Sequence, residues 1–220
     1  MKKNQLQITK NGYLKKTIYS IFAFLMLGLG ISLQIKAGIG QSMLNAFALT
    51  VAELFHFQVG TLLNILNLIF FITYFVIRKT PFHYKDMIQI IATIANGYII
   101  NLFVYYLLAD FVIHSYLLRV LIFLSGLLLA SVSLGLILAI EIIKFPLESL
   151  CIIIGQKLGK NLTYTRKWFD VVFLCGTLLI SFLSGNTLNI REGTIISFFL
   201  LSRFMGFSYQ FFKKNEESVL

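Results

Sequence analysis

Lys36, Asn45, Asn64, Asn67, Asn96, Asn101, Glu141, Glu148 and Arg203 stand inside, or at the ends of, long apolar runs. In such surroundings amides and charges can hold helices together, contact a polar solute, or carry an ion. Arg203 lies well inside the last apolar run, where an unpaired cation costs about 2.5 to 3.5 kcal/mol. It should have a partner or line a wet cavity, and Glu141 and Glu148 are the expected partners. Glu141 and Lys144 could instead pair locally at i, i+3, which leaves Arg203 to Glu148. Lys36, at a helix end, is placed to snorkel to the headgroups, with an anion-binding role second. Gly60, Asn64 and Asn67 form one helix stripe that must face protein, while Lys167 and Asp170 are expected to form an interfacial ion pair.

Other chemistry is poorly supplied. His56, His83 and His114 are scattered, so no metal site and no cofactor is expected. Cys151 and Cys175 read as small core residues, with a disulfide as the minor alternative. Gly206-Phe-Ser208 superficially matches a serine nucleophile turn, but no histidine lies at depth to act as its base, so no enzymatic activity is expected. Gly28, Gly30, Gly38, Gly40, Gly97, Gly126, Gly135 and Pro146 are expected to break helices or let them pack closely.

The elements that position these residues follow from composition. A 220-residue chain with 58% hydrophobic and 13% charged side chains cannot cover a soluble surface and must be solvated by lipid. Its formal charge of +10 gathers at the ends and in short connections, which makes it a topology signal and excludes a nucleic-acid face. Residues 17–35 are too long for a cleaved signal and read as a retained first span after a basic cytoplasmic segment, 1–16.

Further spans are expected at 59–77, 87–108, 116–140, 169–183 and 193–212, and their phenylalanines are expected to face lipid. Two short segments, 43–57 and 146–158, are too short to cross and lie at the interface or re-enter. The basic connections after 77 and after 156 belong to the cytoplasmic side, together with both termini. The expected fold is therefore all-α: a polytopic transmembrane bundle of about six spans plus two short helices. Its parts are a first repeat (17–108), an external connection (109–115), a second repeat (116–212) and an unordered cytoplasmic tail (213–220).

Met43, Asn45 and Asn67 lie at one constant offset from Pro146, Glu148 and Asp170. Gly30 with Gly135, and Asn101 with Gly206, need an offset two residues longer. Each half is a span, a short segment and two further spans, and an odd number of crossings inverts the second copy relative to the first.

The run Gly28-x-Gly30, Lys36-Ala-Gly38-Ile-Gly40-Gln-Ser42, and later Asn96-Gly97 with Asn101, resembles the YczE/YyaS/YitT family of bacterial membrane proteins over most of the chain. In that family Pro, Trp and Asp typically follow the glycine turn, and a Gly-Pro pair with a nearby Asp follows in the later helix. Here those positions are Met43, Leu44 and Asn45, then Gly97, Tyr98 and Asn101, so both acids have become amides. The resemblance implies a multi-pass protein of the bacterial plasma membrane whose activity is largely undefined.

Taken together, the residues point to a transporter or permease-like protein for an unknown small solute, its site at the broken helices. A substrate-binding subunit with a transporter partner, and a non-enzymatic scaffold, are the alternatives; a homo-oligomer is the other expected assembly.

Overall fold

The computed structural model describes residues 10–140, 145–185 and 189–219. Among these, every regular element is helical: α1 (Lys10–Ala37), α2 (Met43–Leu54), α3 (Val59–Arg78), α4 (Tyr84–Asn101) continued by a π-helical segment (Leu102–Leu107), α5 (Tyr116–Ile140), α6 (Pro146–Leu158), α7 (Leu162–Ser184) and α8 (Glu192–Val219). Six of them are long and apolar enough to cross a membrane, and α2 and α6 are not. The chain is an all-α integral membrane bundle.

Two boundaries differ from the sequence reading. The side chain of Asn161 caps α7 by accepting the Tyr164 backbone N–H at 2.8 Å, so α7 starts at Leu162 instead of Phe169. Arg166 and Lys167 thereby leave the connecting loop and enter a helix. At the far end α8 runs on to Val219, beyond the expected end of the last span at residue 212.

Contacts fix the path of the short helices. Asn189, in the connection between α7 and α8, donates to Thr50 Oγ1 (3.2 Å) and Glu53 Oε2 (2.7 Å), and Arg191 donates to the Gly38 carbonyl at 2.8 Å. The end of α2, the end of α1 and the start of α8 therefore share one end of the bundle. At the other end Lys157, near the close of α6, donates to the Ile77 carbonyl at 3.3 Å. There too Arg78 grips Asp86 with two parallel bonds, 2.8 and 2.7 Å, and Asp86 accepts the His83 backbone N–H at 2.9 Å. Each short helix starts in the interior and runs out to the end from which the chain had just arrived, so both re-enter, from opposite ends.

Packing repeats with the same inversion. α2 lies on α3 and α7, and α6 lies on α7 and α3, while α1 packs on α5 and α4, and α5 on α1 and α8. The central seam is the α1–α5 crossing, where a Cβ at Gly30 would come 2.8 Å from the Gly126 carbonyl and one at Gly126 would come 2.7 Å from the Gly30 carbonyl. Only glycine allows the backbones to approach this closely. Gly135 instead faces Ser208 and Tyr209 on α8, so Gly30 and Gly135, already two residues off the common offset, occupy different interfaces.

The phenylalanines do not all face lipid. Phe24, Phe70, Phe71, Phe123, Phe145 and Phe173 are buried, and Phe70 and Phe47 flank Phe173 with ring centroids 5.9 and 5.7 Å apart, tying α2 and α3 to α7. Cys151 is buried and Cys175 exposed, and both thiols are free.

Candidate functional site

The first turns of α2 and α6 converge on one interior cavity of about 70 Å³, lined among others by Gln34, Ser42, Asn45, Asn67, Asn96, Glu148 and Arg166. The sequence prepares both starts. At α2, Gly40 takes a φ of +122° and packs against Thr194, where a Cβ would sit 2.5 Å from the backbone nitrogen; this turns the chain inward. Ser42 then caps the helix, its hydroxyl accepting the Asn45 backbone N–H at 3.4 Å. At α6, Pro146 occupies the first helical position, where its missing N–H costs no hydrogen bond.

Asn45 and Glu148 are both the third residue of their helix, as their common offset requires. The positive end of each helix dipole is directed at the cavity, which favours negative charge or electron-rich groups there.

Glu148 pairs with Arg166, whose guanidinium donates to it through NH1. Arg166 Nε lies 3.6 Å from Asp170 Oδ1, one turn along α7. All three side chains are close to fully buried, so one guanidinium is held between two carboxylates inside the bundle. The positions in the first half at the same offset are Asn45, Leu63 and Asn67, all neutral and all lining the same cavity. The charged site therefore belongs to one half alone. Gln34 Oε1 and Asn96 Oδ1 are buried without a partner in the protein, which makes them acceptors available to a solute or to water.

The other expected site residues are distributed as follows. Asn64 and Asn101 work between helices: Asn101 Oδ1 accepts the Gly60 N–H at 2.7 Å, its amide donates to Thr61 Oγ1 at 3.1 Å, and Asn64 donates to the Ile94 carbonyl at 3.1 Å. Gly97 is pressed against Asn64 in the same seam, and Gly28 against Ile99 of α4. Lys36 donates to the Ala109 carbonyl at 3.1 Å at the α1 end, away from the cavity. Gly38 adopts φ +66° in the turn that follows. Glu141 and its local pairing with Lys144 lie outside the described residues.

Arg203 is not the partner of Glu148. It is exposed on α8 and lines a separate cleft, because Arg166, placed by the earlier start of α7, reaches Glu148 first. Lys167 points outward as well, so Asp170 pairs with Arg166 and not at an interface. Arg166 is thus the residue that the sequence reading missed. Its signal was the Asn161 cap, which moves the helix start back to the position equivalent to Val59 of α3.

Among the described residues no group of three His, Cys, Asp or Glu is placed to hold a metal ion. The model of one protein family, described as a family of unknown function (DUF6198), matches residues 14–210. No curated protein and no solved structure matches the chain.

Proposed function

The chain belongs to that family of unknown function, and from this premise we propose that it is a non-enzymatic transporter or permease-like protein for a small polar solute. The observation that carries the reading is the meeting of two re-entrant helix starts, from opposite ends, on a cavity holding a buried charge pair and unpartnered amide oxygens. That combination is the usual plan of secondary transporters with inverted repeats. A cavity of about 70 Å³ admits a few waters or a very small solute, so a larger solute would require the halves to move.

In this reading the solute is oriented by Asn45, Asn96 and Gln34 and by the helix starts, while Glu148, Arg166 and Asp170 couple its binding to the movement. In the same reading the protein sits in a bacterial plasma membrane with the base-rich Arg78 end in the cytoplasm, and its glycine motifs resemble those of the YczE/YyaS/YitT group.

The repeat itself supplies the test. The triple variant Glu148→Asn, Arg166→Leu, Asp170→Asn copies the first half's residues into the second, so it should insert and fold. A thermal-shift screen of small carboxylates, amino acids and inorganic ions, followed by uptake into proteoliposomes, should find a solute for the wild type that the folded triple variant neither binds nor transports. Equal uptake by both proteins would overturn the assignment.

A further inference from the structure

We infer that the cleft between α7 and α8 binds the headgroup of an anionic phospholipid from the leaflet at the Arg78 end of the bundle. In the first half the equivalent helices close on each other: Gly60 and Asn64 of α3 meet Gly97 and Asn101 of α4 through the hydrogen bonds described above. At the same offsets the second half carries Thr163 for Gly60, Lys167 for Asn64, Ser202 for Gly97 and Gly206 for Asn101.

Side chains thus stand where the seam needs glycine, and a lysine and a glycine stand where it needs bonding amides. α7 and α8 accordingly lack the packing that joins α3 to α4. A Cβ at Gly206 would meet nothing within 4 Å, and a cleft of about 500 Å³ separates the helices.

The lining defines the occupant. Lys167 and Arg203 both face the cleft and both are exposed, no carboxylate lines it, and neither base has an acidic partner among the described residues. Two uncompensated cations on the lipid-facing side of a bundle call for an anion, and the surrounding phase supplies one as a phosphate headgroup. Phe199 and Phe207, more than half exposed, flank the bases as an apolar wall suited to acyl chains and unsuited to a solute arriving from water. Lys167 is only five residues into α7, on the order of 8 Å along the axis, within reach of the headgroup layer, and Arg203 lines the same cleft from α8.

This inference is independent of the transport reading, since none of these residues lines the central cavity. It is tested on the purified full-length protein by native mass spectrometry after exchange into detergent containing phosphatidylglycerol, cardiolipin or phosphatidylethanolamine. The wild type should retain phosphatidylglycerol or cardiolipin in preference to phosphatidylethanolamine. Lys167→Gln with Arg203→Gln should lower that retention by roughly tenfold or more. The charge-preserving pair Lys167→Arg with Arg203→Lys should restore it, and Arg119→Gln, at the opposite end, should leave it unchanged. Equal retention of all three lipids, equal retention by wild type and the double glutamine variant, or a cysteine cross-link between two copies through α7 and α8 would each overturn the inference.

Discussion

Removing Glu148 should destabilise the protein by an amount that depends on whether Arg166 is still present. Their side chains are 5% and 7% exposed, so Glu148→Leu leaves a guanidinium buried with Asp170 as its remaining counter-charge. Stranding one member of a buried pair costs about 3 to 5 kcal/mol. Asp170, 3.6 Å from Nε, offsets part of that and puts the expectation near the lower end, about 3 kcal/mol. Arg166→Leu leaves two buried carboxylates without their counter-charge and should cost about the same.

If the pair acts as a unit, the double variant removes Glu148 and Arg166 together, leaves only Asp170 without its counter-charge, and costs little more than either single change. The coupling should then be about 2 to 3 kcal/mol. The measurement is equilibrium unfolding in mixed micelles titrated with sodium dodecyl sulfate, followed through Trp168, the single tryptophan, two residues from Arg166. Single costs that add to within about 0.5 kcal/mol in the double variant would refute the buried-pair reasoning.

Replacing Gly126 with valine should abolish the folded monodisperse species in size-exclusion chromatography, because its Cβ meets the α1 backbone and the axis of the bundle cannot move aside. Gly206→Val, on the open cleft, should be tolerated in the same assay. Cysteines introduced at Glu53 and Leu158, at opposite ends of the bundle, should be labelled by impermeant maleimide from opposite faces of intact cells or spheroplasts, position 158 from the cytoplasm; labelling from the same face would sink the re-entrant assignment. Arg78→Gln removes both bonds to Asp86 and should raise proteolysis of the connection 79–83 severalfold in inverted vesicles.

Much of the bundle was legible because lipid imposes a simple rule. Spans must be long and apolar, and the runs beginning at residues 17, 59, 87 and 116 obey it without ambiguity. The interruption at Gly38–Ser42 was legible too, since glycines and a serine cap between two apolar helices can hardly do otherwise. What escaped were features decided across the fold. Arg166 stands among Lys157, Lys160 and Lys167, where hydropathy marks a loop, and only its contact with Glu148 on another helix reveals a buried role.

The π-helical turn at Leu102–Leu107 was hidden for the same reason. It accompanies a long-range bond from the Val59 N–H to the Tyr105 hydroxyl, 3.1 Å, which no local pattern announces. Asn64 and Asn67 divide their stripe between a seam and the cavity, a distinction that three residues of spacing cannot make.

The α1–α5 crossing joins the two halves at backbone distance. At Gly30 and Gly126 backbone lies against backbone, and Leu27 and Ile31 of α1 and Phe123 and Leu127 of α5 are buried around that contact. In the proposed transport cycle a twist of one half against the other would also have to repack the rings of Phe47, Phe70 and Phe173, which join the short helix α2 to α3 and α7. Changes at the glycines should therefore decide whether the halves assemble, whereas, in the proposed transport cycle, changes at the rings should alter its rate.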